Sequence, residues 1–161
     1  MRTPFKVEEV RAGQQPIEDL HQPERELLIS GDHLLGRTVL FFDHGHTPDP
    51  VGEFLRSLET VEPLPVSLCL AGHGRTFRDA DAKIAASRAQ VEQLLTRMRD
   101  SLAGEEKTAF EIVGELVGPE NLHSPASAWA LQIVLSCLDH LAILGEAMTV
   151  AGTDPQRWRL C

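Results

Sequence analysis

Residues 26–36 read Glu-Leu-Leu-Ile-Ser-Gly-Asp-His-Leu-Leu-Gly, which places an apolar run directly before a glycine turn. This apolar run, residues 27–29, is short and stops at a glycine turn, which predicts a buried strand that ends in a loop. The same design recurs at residues 66–74, where an apolar run is closed by Gly-His-Gly. Each predicted strand therefore ends beside one polar side chain, Asp32 in the first case and His73 in the second.

A predicted helix separates these two strands. Pro50 follows Asp49 and is a favourable first helical residue, and the helix is expected to continue to about Val61. A strand, helix, strand order favours parallel pairing of the strands. Asp32 and His73 would then lie at the same edge of the sheet, where open α/β sheets usually bind ligands.

The rest of the chain divides into an arm and a helical tail. Residues 1–25 are polar and interrupted by glycine and proline, so we expect a loosely attached, poorly ordered arm. Residues 38–42 are read as a second short strand or a packed loop. A long amphipathic helix is predicted from Asp79 to near Gly104. Residues 105–161 carry a capping box at Thr108, a second apolar helix and a terminal β-hairpin, which is the order of a winged-helix-like domain.

Composition narrows the class of protein. The 161 residues are 42% hydrophobic and 24% charged, which is typical of a soluble globular chain, and we expect no membrane span. The amino terminus becomes charged before any signal-like apolar segment, so we expect a cytoplasmic protein. Cys69 and Cys137 are far apart on apolar segments and are read as reduced structural thiols. A net charge of -9 disfavours nucleic acid as a partner.

Two residues are the main candidates for chemistry. Asp32 on a glycine turn could bind a hard or borderline cation, although a turn cap is the more ordinary role of a lone aspartate. His73 between two glycines could be a ligand or an acid–base group, or simply a loop histidine. Together they predict the edge of a metal site, but zinc requires three or four ligands.

Other histidines are weaker candidates. His44 and His46 are two residues apart and could chelate one ion, although a polar loop that lines a pocket is at least as good an interpretation. His33 is read as a loop neighbour that could add a ligand. His21 is read as an arm residue, and His140 as a residue on a helix surface.

The stretch at residues 26–36, the Leu-Ala-Gly-His-Gly that ends the second strand and the long helix after it resemble the metallo-β-lactamase superfamily. The closest resemblance is to the β-lactamase-like protein 2 branch, from about residue 24 to the end. It implies an α/β fold with a partial αββα sandwich over residues 26–104 and a small winged-helix-like domain over residues 105–161. By the resemblance, Asp32 bridges two zinc ions and His73 completes the ligands of the second. It also implies hydrolysis of an ester, thioester, lactam or phosphodiester.

The sequence departs from the family pattern in one large respect. The HxHxDH motif is absent from these 161 residues, and His21 stands too close to Asp32 to be the family's isolated histidine. With half of the sandwich absent, the sheet should expose an edge and an apolar face. We therefore expect a truncated hydrolase with impaired catalysis that would act on a small ester or thioester. The alternative is a non-catalytic remnant that serves as an interaction or dimerisation module.

Overall fold

The computed structural model describes residues 7–12 and 15–161, without the side chains of residues 11, 12 and 15–18. In chain order the strands are β1 (Glu8–Ala12), β2 (Gln15–Gln22), β3 (Leu27–Gly31), β4 (Leu68–Ala71), β5 (Lys107–Thr108), β6 (Ala147–Val150) and β7 (Arg157–Leu160). The helices are α1 (Pro50–Val61), α2 (Ala80–Ser101), α3 (Ala109–Val117) and α4 (Pro125–Ile143). Short 3-10 turns occur at Pro23–Arg25 and Pro119–Asn121.

The strands β1 to β4 form one mixed sheet in the order β1-β2-β3-β4. β1 and β2, and β2 and β3, pair antiparallel, whereas β3 and β4 pair parallel. Leu28 lies opposite Cys69, and Gly31 lies opposite Ala71. The predicted strand, helix, strand unit with two parallel strands is confirmed, and the carboxyl ends of β3 and β4 are neighbours.

The two faces of this sheet differ in what covers them. Leu28 on β3 and Cys69 on β4 are fully buried. The core cluster around them also contains Val10, Leu34, Leu58, Val61 and Ile84. On the opposite face Leu20 and Ile29 are exposed and stand in register with each other, and Leu70 lies next in the row. Among the described residues, this second face is an uncovered apolar surface.

The amino-terminal arm differs from expectation. Residues 15–22 form β2 in the middle of the sheet, and the side chains of Asp19, His21 and Gln22 are buried. Polar residues point inward here and Leu20 points outward, so the polar composition that predicted an arm gave no hint of a strand. Residues 1–6 and 13–14, which belong to the same predicted arm, lie outside the described residues.

The carboxy-terminal part follows the predicted order of elements. Thr108 and Glu111 form the predicted capping box, with the Thr108 side chain accepting from the Glu111 amide and the Glu111 carboxylate accepting from the Thr108 amide. The hydrogen bond that the Glu111 carboxylate accepts from the Thr108 amide holds the pKa of that carboxyl below its usual value. The predicted hairpin is confirmed as β6 and β7, with β5 on the other side of β7. A winged-helix architecture for this part stays a prediction.

The chain divides into two compact units, and the division differs from the boundary expected at residue 104. The first unit is Met1–Val39 with Phe54–Ala89, and the second is Leu40–Glu53 with Gln90–Cys161. The boundary falls inside α1 and α2, because each of these helices contributes residues to both units. Residues 38–42, left open between strand and loop, form a loop, and residues 40–42 of it belong to the second unit.

The helix α4 is more apolar than the sequence interpretation allowed. It is 19 residues long with a mean hydropathy of 1.4, so by length and composition it could cross a membrane. A core helix of a globular protein, which is mostly buried, meets the same criterion, whereas 33% of this apolar window is buried, including Val134, Cys137, Leu138 and Leu141. One such helix in the described part of the chain is weak evidence for a membrane, and the cytoplasmic location stays an expectation.

Candidate functional site

Asp32 and His73 meet at the carboxyl ends of β3 and β4. The Asp32 Oδ1 and His73 Nε2 atoms are 3.2 Å apart, and both side chains are well exposed, at 63% and 75%. The parallel pairing of the two strands brings these residues, which are distant in the chain, to this one edge. The structure therefore brings together the two residues that the sequence singled out, while their metal-binding role stays a prediction.

Tight backbone turns hold this edge together. Gly31 has a φ of 49°, a left-handed conformation that favours glycine, and its carbonyl accepts a 2.6 Å hydrogen bond from the Gly72 amide. A Cβ atom at Gly72 would stand 2.7 Å from Asp32 Oδ1 and 2.9 Å from the Gly31 carbonyl oxygen. The glycine before His73 is thus required for the close approach of the two turns.

The pair has the donor chemistry of a metal site but not the number of donors. Two ligands of one tetrahedral zinc ion stand about 3.3 Å apart, close to the observed oxygen–nitrogen distance. A catalytic zinc ion nevertheless takes three protein ligands. No group of three or more His, Cys, Asp or Glu side chains that could hold a metal occurs in the part of the chain that the structure describes. The residues present therefore fit the edge of a zinc site and do not complete one.

His33 follows Asp32 but points the other way. Its Nδ1 atom donates to Asp19 Oδ2 at 2.6 Å, and its Nε2 atom lies 2.7 Å from Ser57 Oγ. Its ring also packs edge-on against Phe54, with centroids 5.6 Å apart. Both ring nitrogens are engaged by protein partners, so neither is available to a metal in this arrangement.

His44 and His46 lie in the second unit on the loop before α1. The His44 Nε2 atom donates to Asp139 Oδ2 at 2.9 Å, and the His44 amide donates to Gln132 Oε1 at 3.0 Å. Asp139 on α4 therefore occupies one ring nitrogen of His44, and Gln132 on the same helix holds its backbone amide. The side chain of His46 is exposed. A chelating role for this pair stays a prediction.

The interpretation of His140 as a surface residue is wrong. His140 is 7% exposed, and its Nδ1 atom lies 2.8 Å from Asp49 Oδ1. Helical spacing carried a signal, because His140 follows Cys137 by three residues and Ser136 by four, and both are buried. The partner could not have been found, since Asp49 is 91 residues away in the chain.

The cysteines are free, as expected, and two of them are buried. Burial raises the pKa of the Cys137 thiol to about 12. Burial also raises the pKa of Cys69, which a hydrogen bond with Ser30 only partly offsets. Neither thiol is a ready nucleophile at neutral pH, because the thiolate is the reactive form.

Comparison with solved structures agrees with this architecture. The chain is similar to a β-lactamase domain protein from Burkholderia ambifaria, with a TM-score of 0.83 and 27% identity over 97% of this chain. It is also similar to a metallo-β-lactamase family protein from Thermus thermophilus, with a TM-score of 0.78 and 22% identity over 97% of this chain. No protein-family profile matches the sequence.

These similarities define the class of the fold. The chain has an α/β fold consistent with part of a metallo-β-lactamase fold, and the matches support that superfamily. The chain covers 48% of one matched structure and 49% of the other, so it spans about half of their length. The similarity in fold therefore does not by itself give this chain the activity, substrate or partners of a whole protein of this class.

Proposed function

We propose that this chain is the carboxy-terminal part of a metallo-β-lactamase-fold, metal-dependent hydrolase of the β-lactamase-like protein 2 type. Asp32 and His73 are its two metal ligands, and an ester, thioester or phosphodiester is its substrate. Zinc is the expected metal, in a two-ion site of which these residues form one edge. With only these ligands the chain by itself is impaired in catalysis.

The approach of Asp32 to His73 at 3.2 Å carries this proposal. The uncovered apolar row of Leu20, Ile29 and Leu70 adds support, because it is the surface that a second sheet of an αββα sandwich would cover. Matched structures of about twice the length fit the same interpretation.

The task of Asp32 and His73 in this proposal is to supply one donor atom each to the metal. Bound zinc supplies a Lewis acid and lowers the pKa of its water to about 7. Asp32 would offer a carboxylate oxygen and His73 would offer Nε2, and these two atoms lie 3.2 Å apart. The close backbone approach of Gly31 and Gly72 places both residues at the same sheet edge.

Removal of either donor is expected to weaken zinc binding by the intact chain. Asp32→Ala and His73→Ala should each raise the dissociation constant at least about tenfold, because each removes one of only two donors. Zinc competition with a chromophoric chelator measures the constant, and metal analysis after dialysis measures the content.

His123→Ala is the matched control, because His123 is exposed and lies outside the candidate site. Adding His44→Ala and His46→Ala to the Asp32→Ala/His73→Ala double variant tests whether His44 and His46 bind zinc independently. If the Asp32→Ala/His73→Ala double variant retains the zinc content of the unaltered chain, the site assignment is wrong.

A second candidate function, a dimerisation module, is favoured by an exposed aromatic pair in the second unit. Phe41 and Trp129 are both about half exposed, with ring centroids 4.7 Å apart. The surface beside them on α4 is lined by Pro125, Ala126, Trp129, Ala130 and Ile133. This uncharged surface suits a second copy of the chain, which corresponds to the alternative of a dimerisation module weighed from the sequence.

Sedimentation equilibrium tests that module. Association should be lost in Trp129→Glu, because the substitution places a charge in the middle of the apolar surface. Phe110→Glu is the control, since Phe110 is similarly exposed on α3 and outside this surface. A chain that is monomeric at every concentration tested would rule out dimerisation.

A further inference from the structure

Three buried polar side chains in the first unit form a hydrogen-bonded series that the proposed function does not use. Asp19 on β2 accepts from His33, His33 contacts Ser57 on α1, and the Ser57 hydroxyl lies 2.7 Å from the Phe54 carbonyl oxygen. Asp19 is fully buried and Ser57 is 6% exposed. Burial of polar groups is costly unless they are hydrogen-bonded, so such a cluster needs a reason.

The order of the groups is that of a nucleophile, a base and an orienting carboxylate. The environment does not suit that role, however. Ser57 is almost sealed from solvent, and its hydroxyl hydrogen is shared between His33 and the carbonyl of Phe54 in its own helix. A substrate carbonyl would have to displace packed residues to reach the hydroxyl. The geometry instead fixes the His33 ring between Asp19 and Ser57, which makes these three residues a clamp.

The clamp acts on the turn that carries Asp32. The His33 amide donates to the Ser30 carbonyl at 2.8 Å, and the Ser30 hydroxyl donates to the Leu34 carbonyl at 2.8 Å. This turn sends the Asp32 side chain outward and the His33 ring inward. Because the ring is fixed at both nitrogens to β2 and α1, the backbone of its neighbour Asp32 is also fixed.

We propose that His33, held between Asp19 and Ser57, is a positioning residue that keeps the Asp32 carboxylate within reach of His73. This role rests on the proposed function of Asp32 as a metal ligand. His33 itself contacts neither metal nor substrate. It links the turn that carries Asp32 to β2, the neighbouring strand of the same sheet, and to α1.

The test uses Ser57→Ala in the 161-residue chain, which removes one of the two contacts that hold the His33 ring. Amide hydrogen exchange by NMR should become about tenfold faster at His33, whose amide bonds to Ser30, and at Gly72, whose amide bonds to Gly31. The core amide of Leu28 should keep its rate. The dissociation constant for Zn²⁺ alone should rise about tenfold.

Two further variants separate positioning from general stability. Ser136→Ala removes an equally buried serine hydroxyl for which the structure shows no hydrogen-bond partner, so it should leave both amides and zinc affinity unchanged. His33→Asn keeps a donor towards Asp19 and loses the contact with Ser57, so it should reproduce the effect of Ser57→Ala.

Two results would overturn the proposal. One is equal acceleration of the His33, Gly72 and Leu28 amides, which is the behaviour of a purely structural contact. The other is covalent labelling of Ser57 in the unaltered chain by a fluorophosphonate, which would make the cluster a nucleophilic site. If the unaltered chain binds no zinc while the two loop amides still exchange faster in Ser57→Ala, the proposed function fails and the hold of His33 on the Asp32 turn stands.

Discussion

Replacing Leu28 with alanine is expected to lower the free energy of unfolding of the first unit by about 3 kcal/mol. Leu28 is fully buried at the centre of β3, and Leu58 and Ile84 belong to the same core cluster. The substitution removes three carbon atoms from a packed interior, and the strand backbone on both sides prevents the cavity from closing.

Ile29→Ala is the matched control on the same strand. Ile29 is 37% exposed on the opposite face of the sheet, so its truncation should cost less than about 1 kcal/mol. Both tryptophans lie in the second unit, so urea unfolding followed by far-ultraviolet circular dichroism should be compared with tryptophan fluorescence. Equal losses for Leu28→Ala and Ile29→Ala would contradict the assignment of the two faces.

The second large effect is expected from Asp49→Ala, at about 3 kcal/mol of unfolding free energy in the second unit. The Asp49 carboxylate accepts from the Gly52 amide at 2.8 Å at the start of α1 and also pairs with the buried His140. A Cβ atom at Gly52 would overlap this carboxylate, so the glycine is what lets the side chain fold over the helix end. Alanine removes the helix cap and leaves a buried imidazole without this partner.

Asp49→Asn should lose only about 1 kcal/mol, because an amide oxygen still accepts both hydrogen bonds. Asp79→Ala is a control at the start of α2, where the carboxylate is exposed and its ion pair with Lys83 spans 3.6 Å. It should cost less than about 1 kcal/mol. Tryptophan fluorescence during urea unfolding reports the second unit, and far-ultraviolet circular dichroism also reports the first unit, which contains Asp79. An Asp49→Ala variant as stable as Asp79→Ala would show that the pair with His140 contributes nothing.

Local signals in the sequence predicted most elements within a few residues. Pro50 marked the beginning of α1, the box of Thr108 and Glu111 marked α3, and glycine turns marked the ends of β3 and β4. These signals act over one turn of chain, through a fixed φ or a hydrogen bond three residues away. They are therefore readable without knowledge of the fold.

The missed features share a physical cause. In β2 the buried positions hold Asp19 and His21, whereas Leu20 faces outward, which inverts the usual alternation of polar and apolar residues. The reason is long-range, because Asp19 pairs with His33 and His21 donates to the Pro65 carbonyl. A pattern rule assumes that polar side chains seek water, and it fails where they find partners inside.

Turn chemistry and helix caps act locally, so the strand, helix, strand unit and the two polar residues at its strand ends were predictable from the residues alone. Three features are visible only in the folded chain: Asp32 comes within 3.2 Å of His73, His33 turns inward, and His140 pairs with Asp49. Those contacts depend on how distant segments pack, and the spacing of residues along a chain does not contain that information.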